Sequence, residues 1–169
     1  MVTNDFPCST YLIFIIQKIK SLAKDKTPPI SSVRIIADHS RAMTHLISDG
    51  VMPGNAGRGY VLRRIIRRAI RHGKLIGINE PFLYLLSKEV VLEMKDVYPV
   101  LGEQENLIAE VIKTEEESFL QTLSKGIELF DQIRKEHEKD KIIPGKIAFQ
   151  LHDTYGFPIE LTREIAEEN

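Results

Sequence analysis

Gly54-Asn-Ala-Gly-Arg-Gly-Tyr-Val-Leu-Arg-Arg-Ile-Ile-Arg-Arg-Ala-Ile-Arg-His-Gly73 reads as a turn-rich loop running straight into a helix that carries five arginines. From Arg58 to Lys74 there are seven Lys or Arg residues and no acidic one. At about 100° per residue, Arg63, Arg64, Arg67, Arg68 and Arg71 fall within an arc of about 140°. Leu62, Ile65, Ile66, Ala69 and Ile70 fall on the opposite arc. One face is suited to burial and the other to an anion. An all-arginine face repels itself unless something anionic sits on it. Arginine also has the bidentate geometry that phosphate and guanine edges accept.

Helical spacing continues on both sides of this stretch. Leu12, Ile15, Ile16, Ile19 and Leu22 predict an N-terminal helix with one buried stripe. Thr27-Pro-Pro-Ile30 is a stiff break. Ser31 or Ser32 is expected to cap a helix over 33–48, which Gly50 ends. Gly50 to Gly59 is a loop with Pro53, Gly54 and Gly57 as turn-formers. The arginine helix is expected over 60–72, with Gly73 as its stop. Pro81 starts another helix, to Lys95, and Pro99 and Gly102 break the chain. A long amphipathic helix is expected over Glu103–Lys139, its stripe being Leu107, Val111, Phe119, Leu123, Ile127, Phe130 and Ile133. Pro144-Gly145 begins a further helix, Tyr155-Gly-Phe-Pro158 is a turn, and Pro158 starts the last helix. Period-two alternation is almost absent. The expected fold is all-α, a helical bundle-like domain with one long helix. The expected division is an N-terminal helix with its Pro-rich break over 1–30, then a helical domain over 31–169.

Net charge is only −1 over 169 residues, so the information lies in asymmetry. Glu103 to Glu117 carries six glutamates (103, 105, 110, 115, 116, 117) against Lys113 alone. That run is expected to face solvent or a partner, away from any nucleic acid. Cys8 is the sole cysteine, which excludes an intramolecular disulfide and fits a reducing compartment such as the cytoplasm. The apolar run Tyr11–Ile16 is too short to span a bilayer and lacks a preceding basic region, so core packing is expected and no membrane role. The histidines (39, 45, 72, 137, 152) are scattered without metal-ligand spacing, so no metal site is expected. Cys8 has no histidine nearby in sequence, and Gly57-Arg-Gly59 lacks the Gly-Lys-Ser/Thr of a phosphate loop. No repeat or low-complexity tract is present. The ending at Asn169 lacks a clear helix stop, as expected of a piece of something longer. Met1 leaves two origins open, an excised piece or a gene that begins here because its parent is split.

Asn55 offers both a donor and an acceptor, which suits a base edge in the minor groove of an RNA stem. On the residues alone, Pro-Gly-Asn reads first as ordinary turn chemistry. Asp153 alone reads as a helix-end or turn residue. Arg58, Arg63, Arg64, Arg67, Arg68 and Arg71 are candidate phosphate contacts. Two to four of them are expected to touch RNA, the others pairing with carboxylates such as Asp38 or Asp49. Arg34, Asp38, His39 and Arg41 form a polar cluster with helical ion-pair spacing, expected to brace the arginine helix; an interdomain contact is the alternative implied by the family resemblance that follows.

Two motifs carry a resemblance. Arg34-Ile-Ile-Ala-Asp-His-Ser-Arg41, Asp49-Gly-Val-Met-Pro-Gly-Asn55 and Arg58-Gly-Tyr-Val-Leu-Arg-Arg-Ile-Ile-Arg-Arg68 together look like the helical tRNA-recognition domain of alanyl-tRNA synthetase. Ala148-Phe-Gln-Leu-His-Asp-Thr-Tyr-Gly-Phe-Pro-Ile-Glu-Leu-Thr162 is similar to a later motif of the same domain. The resemblance covers about Ser31 to Asn169, and the motifs come in the family's order. It implies that Asn55 and Asp153 read a G·U wobble pair in the acceptor stem of tRNA(Ala), while the arginines position the stem. A carboxylate acceptor discriminates well there, because a G·U pair leaves guanine's minor-groove amine without its usual partner. His152 stands where the family motif has a tyrosine.

The resemblance further implies a class II ligase whose ATP and alanine site belongs to a separate catalytic domain. That domain is an expected partner. ATP, Mg and an editing-domain Zn are implied for the full-length family member, and no cofactor for this segment, which is expected to be inactive alone. Two other readings stay open. One is a general RNA-binding helical module without base reading. The other is a structural domain whose arginine face docks on an acidic protein surface.

Overall fold

Apolar residues spaced three and four apart become, in the computed structural model, helices with one buried stripe each. The structure describes residues 10–136, 144–149, 159 and 163. Among these the order is α1 (Thr10–Leu22), α2 (Ile30–Ser48), α3 (Gly57–Leu75), α4 (Leu83–Met94), α5 (Pro99–Glu103) and α6 (Glu105–Glu136). Residues 145–149 are also helical, and no strand occurs among the described residues. The all-α expectation holds.

The chain divides into two compact units, Met1–Glu116 and Glu117–Asn169. In the first unit α2 is central and packs against α1, α3, α4 and α5, while α1 also meets α4. Ile15 and Ile19 of α1, Val33, Ile36, Met43 and Ile47 of α2, Leu62, Ile66 and Ile70 of α3, and Leu83, Leu86 and Val90 of α4 are buried. Each such side chain contributes about 1.5–3 kcal/mol of transfer free energy. In the second unit Phe119 and Leu123, one helical turn apart on α6, are buried.

Two helix ends are closed by glycines in the left-handed region. After α2, the Val51 N–H donates to Leu46 O and the Gly50 N–H to Ile47 O, with Gly50 at φ 81°. After α3, the Ile78 N–H donates to Gly73 O and the Gly77 N–H to Lys74 O, with Gly77 at φ 83°. Both are Schellman closures, satisfying carbonyls that the helix leaves open. Gly50 therefore ends α2 as expected. Gly73 does not end α3; it is an interior helical residue, and Gly77 provides the stop.

Other expectations need correction. The residue preceding α2 is Pro29, and neither serine caps the helix. Ser32 is instead buried, its Oγ 3.1 Å from His72 Nδ1. Pro99 and Gly102 do not break the chain but lie within α5, Pro99 at its first turn where no N–H is required. Leu107 is exposed, and the buried stripe of early α6 runs through Ile108 and Ile112. Ile127, Phe130 and Ile133 lie outside the described side chains. The expected turn at 155–158 lies outside the described residues, and of the expected last helix only Ile159 and Arg163 are described, both helical.

Candidate nucleic-acid interface

The loop before α3 is held by its glycines. The Gly54 N–H donates to Gly59 O at 3.1 Å. A Cβ at Gly59 would stand 2.5 Å from Met52 O and 3.1 Å from Gly54 N. Only a residue without a side chain lets the loop backbone lie this close on the first turn of α3. Gly57, at φ 58°, opens the helix. This packing fixes where Asn55 stands, exposed at the loop tip.

Asn55 is braced from below. Arg63 Nη1 donates to Asn55 Oδ1. Arg63 Nε donates in turn to Glu115 Oε2 at 3.3 Å. Arg67, one turn further along α3, donates from Nε to Glu115 Oε1 at 2.9 Å and places Nη2 2.8 Å from the same oxygen. Glu115 is a shielded carboxylate, its side chain 10% exposed, against 24% for Arg63 and 13% for Arg67. Burial pulls the Arg67 guanidinium below its ordinary range, and Glu115 opposes that pull. The anion expected on the arginine face is thus supplied in part by the protein itself.

The remaining arginines divide. Arg58 and Arg68 are exposed. Arg64 is half-buried, its guanidinium carbon 5.8 Å from the centre of the Tyr60 ring. Arg71, expected on the anion-facing arc, is only 4% exposed. Ala69, Ile70, Arg71, His72 and Gly73 are all buried in succession, so this turn of α3 is enclosed on every side. Arg71 therefore does not stand on the surface with Arg58 and Arg68. Asp153, the other expected base reader, lies outside the described residues.

The acidic run is not wholly turned outward either. Glu115 holds two arginines, and Glu116 is fully buried. Glu116 Oε1 accepts from the Phe82 N–H at 2.9 Å, and its Oε2 from the Leu83 N–H at 3.0 Å. It thereby satisfies donors at the start of α4 that the helix itself leaves open. Sequence reading missed both roles. The available signal was spacing, since positions 115 and 116 continue the buried line of Ile108, Ile112 and Phe119. In the Arg34–Arg41 cluster, Asp38 lies 3.5 Å from His39 Nδ1 and 3.6 Å from Arg41 Nη2.

Among the described residues, no group of three or more His, Cys, Asp or Glu could hold a metal ion. No described helix is long and apolar enough to cross a membrane.

Comparison with known proteins agrees with the motifs. Residues 5–169 match the family described as tRNA synthetases class II (A). The chain is 51% identical over 140 residues to an alanine–tRNA ligase of Acetivibrio thermocellus, covering 82% of this chain and 16% of that protein. It is 56% identical over 137 residues to that of Thermotoga maritima, covering 81% and 16%. It is 47% identical over 159 residues to that of Coxiella burnetii, covering 92% and 18%. The chain thus spans less than a fifth of the length of these relatives. A family match over nearly the whole chain, with identities near one half, places it firmly: the chain belongs to the tRNA synthetases class II (A), the alanyl-tRNA synthetase family.

Proposed function

We propose that this segment holds the acceptor stem of tRNA(Ala) for an enzyme that attaches alanine to tRNA at the expense of ATP. The observation that carries the proposal is Asn55, exposed on a glycine-packed loop and braced by Arg63 beside the exposed Arg58 and Arg68. An A-form stem offers a wide, shallow minor groove in which a short polar side chain can reach base edges. Asn55 would enter that groove, and Asp153 would join it from the later motif. Arg58, Arg64 and Arg68 would meet phosphates and set the register of the stem. Arg63 and Arg67 would act mainly through the pairing with Glu115. Arg71 would serve the core.

The names of the relatives support this reading, since each is an alanine–tRNA ligase. By the same reading the ATP and alanine chemistry, with its Mg, belongs to a catalytic domain that partners this segment, and the protein acts in the cytoplasm. The test is a titration of a tRNA(Ala) acceptor minihelix, with G·U or G·C at the wobble position. A preference for G·U that Asn55→Ala and Asp153→Ala each reduce by about 1–3 kcal/mol is expected. Equal binding of both stems by all three proteins would leave only a general RNA-binding module.

A further inference from the structure

We infer that Glu115 is a positioning residue for base reading, acting through Arg63 to fix which end of the Asn55 amide faces the nucleic acid. The inference rests on the proposed role of Asn55 in the groove. An asparagine amide has two nearly isosteric ends, an acceptor oxygen and a donor NH2. Rotated by half a turn, the same side chain would offer the opposite pattern to a base. A free Asn55 at an exposed loop tip would sample both. Arg63 removes the ambiguity, because a guanidinium donates and never accepts. With Arg63 Nη1 donating to Oδ1, the oxygen faces α3 and the NH2 faces away from it. Asn55 then addresses acceptors in the minor groove: a purine N3, a pyrimidine O2 or a ribose 2′-oxygen.

Arg63 can do this only if it is itself held. Its side chain is 24% exposed, and an arginine in that position has several rotamers open to it. Glu115 closes them by accepting from Nε, leaving Nη1 for Asn55. Arg67 fixes Glu115 in turn, donating to Oε1 while Arg63 donates to Oε2. The carboxylate is therefore engaged on both oxygens and cannot swing with its partner. The chain from Arg67 through Glu115 and Arg63 to Asn55 runs from a shielded ion pair to an exposed reading group. Lysine at 63 would keep the charge but not the two separate donors in one plane.

Two measurements test the inference, both on this chain. The first is the order of the Asn55 side-chain NH2 in the free protein, by nitrogen-15 relaxation. In the wild type the group is expected to be as ordered as the surrounding backbone. In Glu115→Gln and in Arg63→Lys it should become mobile, while Arg67→Lys should change it less. The second is minihelix binding. Arg63→Lys should lose about tenfold of the preference for G·U over G·C, the scale of one polar base contact. It should keep the salt dependence of the wild type, because its charge is unchanged. Circular dichroism melts identify any variant that has lost the fold. If Glu115→Gln does not fold, Arg63→Lys carries both measurements. An Asn55 amide equally ordered in wild type and Arg63→Lys would overturn the inference. So would an Arg63→Lys protein that keeps the full G·U preference of a discriminating wild type. A wild type with an ordered, Arg63-dependent amide and no preference for either stem would instead sink the proposed function and leave the Asn55 brace standing without a reading role, which also overturns the inference as stated.

Discussion

Gly73 lies against the ring of Phe82, so closely that a Cβ at position 73 would stand 2.4 Å from Cε1 and 2.5 Å from Cζ. This contact explains a glycine in the interior of α3, where helix propensity alone favours alanine by about 1 kcal/mol. Phe82 is 2% exposed, so its ring has no room to swing aside. Gly73→Ala is therefore expected to destabilise despite the propensity gain, since overpacking costs about 1–3 kcal/mol. Urea unfolding checks this, and a stabilised Gly73→Ala would contradict it. Combining it with Phe82→Leu should recover part of the loss, as expected for two residues in contact.

Glu116 supplies the second prediction. Its carboxylate accepts the N–H groups of Phe82 and Leu83 at the start of α4, with no exposure to solvent. Glu116→Ala leaves two buried donors without that acceptor, at about 1–3 kcal/mol each. Glu116→Gln keeps one acceptor oxygen and should lose less. Comparable losses for both variants in urea unfolding would show that the hydrogen bonds are not what Glu116 contributes.

These two residues mark how far the sequence could be read. The helices were legible because their apolar positions recur at three and four, as Ile15 and Ile19 or Leu62, Ile66 and Ile70 show. Gly50 was legible as a stop because nothing but local geometry decides a Schellman closure. Gly73 misled because the same residue type also serves close packing, and its partner Phe82 is known only from the tertiary fold. At the candidate interface, Asn55 and the arginines stood out by type and position. Their division did not. Whether an arginine meets solvent, Glu115 or the core depends on where α6 lies, and no periodicity within α3 contains that. Glu115 and Glu116 looked like part of a solvated acidic face because six glutamates in one stretch obscured their place on the apolar line.

His45 gives a prediction in pH. Its Nε2 lies 3.4 Å from Met94 Sδ, and its ring meets Tyr98 edge-on at 5.1 Å. Burial holds its pKa below the ordinary 6.5, with Asp49 opposing the shift and Arg41 adding to it. The unfolded chain therefore takes up the proton more readily than the folded one. The stability that neutral His45 allows is complete above 6.5 and declines as pH falls below it, towards the lowered folded value. The urea midpoint of the wild type should fall between neutral pH and about 5 more steeply than that of His45→Gln. Identical slopes would mean that other groups govern this range.

The arginines give the last prediction, which depends on the proposed contact with an acceptor stem. Arg58 and Arg68 are exposed, so each guanidinium is open to a phosphate. Arg58→Ala and Arg68→Ala should weaken G·U and G·C stems alike, and each should lower the salt slope by about one. The fold should barely register Arg58→Ala, since isolated surface substitutions stay within about 0.5 kcal/mol. Arg71→Ala should behave in the opposite way. At 4% exposure it sits in an enclosed turn of α3, and truncating it empties buried volume rather than removing a phosphate contact. Its melting temperature should fall, while the salt slope of the protein that remains folded stays at the wild-type value. Binding titrations at several salt concentrations, paired with thermal melts, separate the two patterns. An Arg71→Ala protein of unchanged stability with a reduced salt slope would place Arg71 on the RNA after all, and would require this turn of α3 to open when the stem binds.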